Sequence, residues 1–382
     1  MPILHTNNIL LSICMPTYNR CEQIKRQLQD VLKQIENITD DVEILVSDNA
    51  STDGTSSVLR EICSQHARVR LFIQPENIGM EANFLFLATH AKGKFYWCIG
   101  DDDIIRPGTV GFVVNVLKKY NNIGGVILKC GGAFPSFDGK HFKWKKANFN
   151  ITDECLISYS PQVLGKYPNA FGDTDWMFIT KCIILRDAYV RIASHHGFIG
   201  NNAIPLFATC LSIHNKNFYY ANKCGYINGV QDGRLDNWHY RAFEVCKDII
   251  SGIKKLADFD FSLEEINYLY VSEEAHIYYI NTLGCIEHKM SIQETIDSNL
   301  DLQRRLGIPI SEKRFWEKLS MKDPKHVIFL AREIINIGYY DGEIISYLKI
   351  RKEMKKHGYM PSKIQELKWI IKYIIIIKYI LK

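Results

Sequence analysis

Four times between Ile9 and Tyr120 a short apolar run gives way to a polar loop and then to a helix-like stretch, and this rhythm leaves little choice of fold. Ile9–Met15, Val42–Val46, Val69–Ile73 and Phe95–Ile99 read as buried strands of branched and aromatic residues. Glu22–Ile35, the stretch ending at Ser64 and the segment containing Asn83–Thr89 read as the intervening helices. Pro16–Arg20 is expected to break the first strand into a loop, and the Ser and Thr of Ser47–Thr55 suit the N-cap of the second helix. Repeated strand–helix units predict an α/β domain: a mostly parallel sheet with right-handed crossovers, flanked by helices, its loops gathered on one edge.

The fourth strand runs into Gly100-Asp101-Asp102-Asp103, so three carboxylates stand at its carboxyl end, where open α/β sheets bind their ligands. Adjacent like charges repel and call for a cation. A hard divalent ion such as Mn²⁺ or Mg²⁺ takes carboxylate oxygens together with the oxygens of a substrate phosphate. A solvated acidic turn is the plainer alternative. The loop after the first strand lacks G-x-G-x-x-G and no Walker motif appears, so a nucleotide here would be held by side chains and metal rather than by a glycine cradle.

Four segments together resemble a known family. Ile13–Arg20, Val46–Thr55, Asn77-Ile78-Gly79 with Asn83, and Gly100–Asp103 with Pro107-Gly108 look like the family 2 inverting glycosyltransferases of GT-A fold. The resemblance is close over residues 9–120 and extends more weakly to about residue 240. It implies a Rossmann-like GT-A domain over residues 1–240 and a nucleotide-diphosphate sugar donor. Pro16, Thr17 and Tyr18 would flank the nucleotide base, Asp48 or Asn49 would hydrogen-bond it, and Asn77 belongs to the same binding edge. Asp101 would face the ribose and Asp102 would bind the metal, assisted by Asp101 or Asp103. The commonest pattern has an acid where this chain has Gly100.

An inverting transfer also needs a base for the acceptor hydroxyl, ordinarily a carboxylate or His. The acidic pair that such enzymes often carry near the acceptor is missing from Phe198–Ala203. Asp173 and Asp175, two residues apart before an expected strand at 177–180, share a face of an extended chain and lead as candidates. His195 and His196 follow; on a strand their rings would point apart, which argues against a zinc site. The basic, aromatic segment Phe142–Lys146 reads as a hairpin surface or an acceptor contact, and the polar loop 231–239 as a cover for the diphosphate or a linker.

Beyond residue 240 the pattern is helical, with apolar spacing of three and four over 241–256, 263–283, 292–306, 313–319, 324–337 and 341–356. This predicts a helical carboxyl-terminal region over residues 241–382, packing on the catalytic domain or on a second subunit. From Lys349 onward ten Lys and Arg stand against Glu353 and Glu366, a local +8 that leaves −3 for the remainder of a +5 chain. A general nucleic-acid footprint is therefore not expected. At helical spacing Glu366–Lys382 places Lys368, Lys372, Lys378 and Lys382 on one stripe opposite Trp369 and a run of isoleucines, which suits the face of an anionic membrane or a packing surface. Eleven scattered cysteines without a Cys-x-x-Cys pair fit a reducing cytoplasm, and the apolar start reads as a strand, not a targeting segment. The expected acceptor is a glycan, lipid-linked in bacterial surface-polysaccharide synthesis, at the inner face of the cell membrane. A sugar-phosphate nucleotidyltransferase and an inactive glycan-binding protein of the same fold are the rival readings.

Overall fold

The computed structural model describes residues 9–38, 41–120, 122–133, 151–166, 179–228, 242–270, 278, 281, 292–306 and 310–311. The chain divides into two compact units, one of Met1–Leu235 with Lys255–Ile266 and the other of Asp236–Lys254 with Asn267–Lys382.

The first unit is built on one nine-stranded sheet flanked by helices, the expected α/β architecture. Strands β1 (Leu11–Thr17), β2 (Val42–Asp48), β3 (Val69–Ile73) and β4 (Phe95–Cys98) run parallel in the order β3-β2-β1-β4. Every residue of β1 and β2 is buried, as expected of parallel strands covered on both faces. The helix α1 (Cys21–Ile35) buries Ile24, Leu28, Val31, Leu32 and Ile35 at three- and four-residue spacing, and α2 (Thr55–Ser64) and α3 (Met80–His90) complete the crossovers.

Two local expectations are corrected. Pro16 does not end β1: the parallel register continues to Thr17 opposite Asp48, and the Asn49 amide donates to the Thr17 carbonyl at 2.9 Å. Nor does a Ser or Thr cap α2. Gly54 stands at that position with φ 91°, a left-handed conformation that glycine adopts without penalty, and Asp53 accepts the Thr55 amide at 3.1 Å instead.

After β5 (Ile104–Ile105) and α4 (Thr109–Lys119) the sheet becomes mixed. The long strand β6 (Ile123–Ala133) is followed by β7 (Leu156–Ile157), the short helix α5 (Gln162–Lys166), β8 (Cys182–Leu185), helices α6 (Arg186–Ser194) and α7 (Ile204–Ile213), and β9 (Asn217–Asn228). Strand β8 lies antiparallel between β4 and β6, while β9 pairs parallel with β6 and antiparallel with β5 and β7. Of the expected strand at 177–180, residues 177 and 178 lie outside the described residues, while residues 179–181 form a single 3-10 turn and a strand starts at Cys182. Gly125 is required where the sheet changes direction, because a Cβ there would stand 2.2 Å from the Ile183 carbonyl oxygen.

The second unit holds most of the helix Ala242–Lys255 and the helix Ile292–Leu306, both expected from the apolar spacing. Among the described residues no helix is long and apolar enough to cross a membrane. The segment 142–146, the loop 231–239, the later expected helices and the tail 363–382 lie outside the described residues.

Candidate active site

The parallel strands deliver three loops to one edge of the sheet, and each is braced by polar side chains from another. At the end of β1, Thr17 donates its hydroxyl to Asp101 Oδ2 at 2.8 Å. Tyr18 follows with nearly half its surface exposed (44%), the one large aromatic ring presented to solvent at this edge among the described residues. Asn19 turns the chain at φ 53°, which asparagine tolerates, and Arg20 then reaches Asp102 at 3.5 Å.

Asp48 is fully buried at the end of β2. Its carboxylate accepts the Ser51 amide at 3.0 Å and the Ser56 hydroxyl, so it organises the β2–α2 loop. Asn49 clamps two loops together: its Oδ1 takes the Ile78 amide at 2.9 Å, and its Nδ2 donates to Asn77 Oδ1 at 2.9 Å and the Gly79 carbonyl at 3.2 Å. One turn deeper, Ser47 donates to Asn83 Oδ1 at 2.5 Å, and Gln74 donates to Ser47. The Asn77–Asn83 segment is thus the wall behind the β2 loop.

The acidic turn follows β4. Burial and the charge of Asp102 push the Asp101 carboxyl up to about 7, against the opposing pull of Arg20 and the Thr17 hydrogen bond. Asp102 keeps 30% of its side chain exposed. Asp103 is turned under, 4% exposed, and accepts a hydrogen bond from Thr180. Thr180 also accepts the Gly100 amide at 2.9 Å, and its carbonyl takes the Trp97 indole N–H at 2.9 Å. Gly100 explains itself sterically: a Cβ would lie 3.0 Å from Asp103 Oδ2 and 3.2 Å from Asp102 Oδ1. The bare backbone leaves these two carboxylates the space that a side chain would fill.

The partly exposed Asp102 carboxylate is the hard oxygen donor at this turn of the kind a divalent ion takes. Among the described residues no three His, Cys, Asp or Glu converge on one point, so one or two carboxylate oxygens at the turn would be joined by phosphate and water oxygens, as suits Mg²⁺ or Mn²⁺.

Sequence reasoning missed Thr180, Arg20, Gln27 and Gln34. Gln27 donates to the Gly100 carbonyl at 3.4 Å. Gln34 accepts the Gly108 and Val110 amides at 3.1 and 3.3 Å, fixing the turn into α4. The two glutamines stand seven residues apart on the face α1 turns to the fold, and polar residues on such a face were the signal available.

His195 and His196 are not on a strand. They follow α6 in a turn, with ring centroids 4.3 Å apart, and His195 packs on Phe259 and pairs with Asp258 at 3.7 Å. Asp173 and Asp175 lie outside the described residues.

An open mixed sheet whose parallel half ends in a metal-compatible acidic turn is the GT-A class of fold. Residues 12–186 match the family described as Glycosyl transferase family 2. The chain is 32% identical to the abequosyltransferase RfbV of Salmonella typhimurium over 52% of its own length and 60% of that protein's. It is 30% identical to the GalNAc(5)-diNAcBac-PP-undecaprenol beta-1,3-glucosyltransferase of Campylobacter jejuni, over 39% and 48%. It therefore spans less than two thirds of these relatives. In fold it is similar to S. aureus TarS 1-349 in complex with UDP-GlcNAc, with TM-score 0.57 and 14% identity over 91% and 92% of the two chains. The mannosyltransferase PcManGT of Pyrobaculum calidifontis, in complex with GDP-Man and Mn²⁺, follows with TM-score 0.50 and 14% identity over 86% and 88%.

Proposed function

We propose that this chain is an inverting glycosyltransferase that moves a sugar from a nucleotide-diphosphate donor to a hydroxyl of a glycan in bacterial surface-polysaccharide synthesis. One observation carries the reading: Asp102 stands partly exposed on a turn braced by Thr17, Arg20 and Thr180, with the open ring of Tyr18 on the neighbouring loop. Tyr18 stacks on the base. Asp48 and Asn49 shape the loop beneath it, and Asp101 faces the ribose. Asp102 holds Mn²⁺ or Mg²⁺, which when bound stabilises the charge gathering on the leaving diphosphate. Asp103 serves by anchoring the turn.

Support comes from the relatives' own names, an abequosyltransferase and an undecaprenol-linked glucosyltransferase, and from the UDP-GlcNAc and GDP-Man bound by proteins of like fold. The base on the acceptor side is Asp173 or Asp175, with His195 and His196 next in line. The acceptor is lipid-linked, and the basic tail holds the enzyme against the inner face of the membrane or against a second subunit. Screening nucleotide sugars for metal-dependent hydrolysis and thermal stabilisation tests the reading. Stabilisation by at least one donor, abolished by chelator, is the expected result; failure of every nucleotide sugar overturns it.

A further inference from the structure

Helix α1 faces the acidic turn with more than Arg20. Gln27 reaches the Gly100 carbonyl, and Arg26, one residue earlier, sits in the attractive field of Asp30, Asp102 and Asp101. Burial opposes its charge and pulls the guanidinium below its ordinary value, yet a guanidinium stays protonated in any protein. Its Nε and Nη2 are both buried and neither has a hydrogen-bond partner. The neighbouring carboxylates hold this cation by field and leave that edge of the fork unfilled. Native proteins rarely leave such donors orphaned, and a planar two-donor edge is the shape that binds two oxygens of one phosphate or carboxylate.

We propose that Arg26 is an oxyanion-binding residue whose Nε and Nη2 edge takes phosphate oxygens of the donor's diphosphate at the flank of the acidic turn. This rests on the glycosyltransferase reading for the source of the anion, and on the geometry of α1 for the site itself. Arg20 and Arg26 divide the work: Arg20 neutralises Asp102 directly, whereas Arg26 presents donors to the incoming ligand.

The test uses the full chain with Mg²⁺ and four probes, inorganic pyrophosphate, UDP, GDP and uridine, by calorimetry and thermal melting. Removing two buried, unpartnered donors relieves the ligand-free protein, so Arg26→Gln is expected to melt at or above the wild type. The same variant should bind pyrophosphate and whichever nucleoside diphosphate the wild type takes about tenfold more weakly or worse, with its response to uridine unchanged. Arg26→Lys, which keeps the charge and loses the fork, should recover only part of that affinity. A wild type that fails to bind pyrophosphate overturns the proposal, as does an Arg26→Gln protein that binds it normally, or a variant that melts lower with unchanged affinity. If pyrophosphate binds through Arg26 while neither UDP nor GDP binds, the oxyanion site stands and the donor reading falls.

Discussion

Thr180 and Asp103, 77 residues apart in the chain, share a buried hydrogen bond, and through it the lead-in to β8 holds the acidic turn from below. The same hydroxyl accepts the Gly100 amide. Replacing Thr180 by Val keeps the shape and removes the hydroxyl from both contacts, so the buried Asp103 carboxylate loses one hydrogen bond and the part-buried Gly100 amide loses its acceptor. Thr180→Val is expected to lower unfolding free energy by about 2 kcal/mol, read from the urea midpoint. Divalent-ion affinity should fall with it, because the turn loses its anchor.

Asp102 carries a different expectation. Its side chain is partly exposed, and its long ion pair with Arg20 is of the kind that contributes little to stability. Asp102→Ala should leave the melting temperature nearly unchanged and lower turnover by orders of magnitude. Near wild-type transfer by this variant, or by the wild type in excess chelator, would remove the metal assignment.

Tyr18 and Asp48, neighbours in the proposed pocket, should separate under mutation. The exposed ring of Tyr18 can be removed at little cost to folding, so Tyr18→Ala should weaken nucleotide binding alone. Asp48 is buried and spent on Ser51 and Ser56, so Asp48→Ala should cost about 2 kcal/mol as well as affinity. Calorimetry and denaturation on the same two proteins would show whether binding and stability part in this way.

Stability should decline on acidification in two stages. Burial keeps the His214 imidazole below its ordinary 6.5, outweighing the attraction of Glu265 at 3.3 Å and of Asp260, and Lys216 acts in the same direction as burial. Burial would raise the Glu265 carboxyl, but hydrogen bonds from Tyr159 and Ser262 and the pull of His214 hold it below its ordinary 4.5. Both groups bind protons more readily unfolded than folded. Their contributions are therefore present above those ordinary values and are lost as pH falls, first below 6.5 through His214 and then below 4.5 through Glu265. Urea midpoints measured from pH 8 to 4 should follow this course, and Glu265→Gln should flatten the lower limb.

The parallel half of the sheet was legible because each strand is a continuous apolar run at the length a buried strand needs; β3 falls on the residues read for it, Val69–Ile73. The acidic turn was legible for the same reason, as charge placed directly after such a run. What supports the turn was hidden, since Thr180 lies far away in sequence and acts through one hydroxyl and one carbonyl. The His195–His196 geometry was misread because adjacent rings point apart only on an extended chain, and here the chain turns after α6. At Thr180 the expected strand gives way to a 3-10 turn, and that residue's carbonyl and hydroxyl meet the Trp97 indole and the Gly100 amide.

Trp97 bears on how small a self-sufficient version of this fold can be. Its buried ring lies on β4, which pairs with β1 on one side and β8 on the other, and its indole N–H is satisfied by Thr180. A fragment ending near residue 120 would keep all four signature segments yet turn β4 into a raw sheet edge with an unsatisfied indole and an unheld acidic turn. Such a minimal fragment should aggregate through that edge rather than bind donor. Domain-swapping or chimera designs in this family fold must therefore carry β8 together with the signature segments, since the recognisable part of the sequence is not a self-sufficient part of the structure.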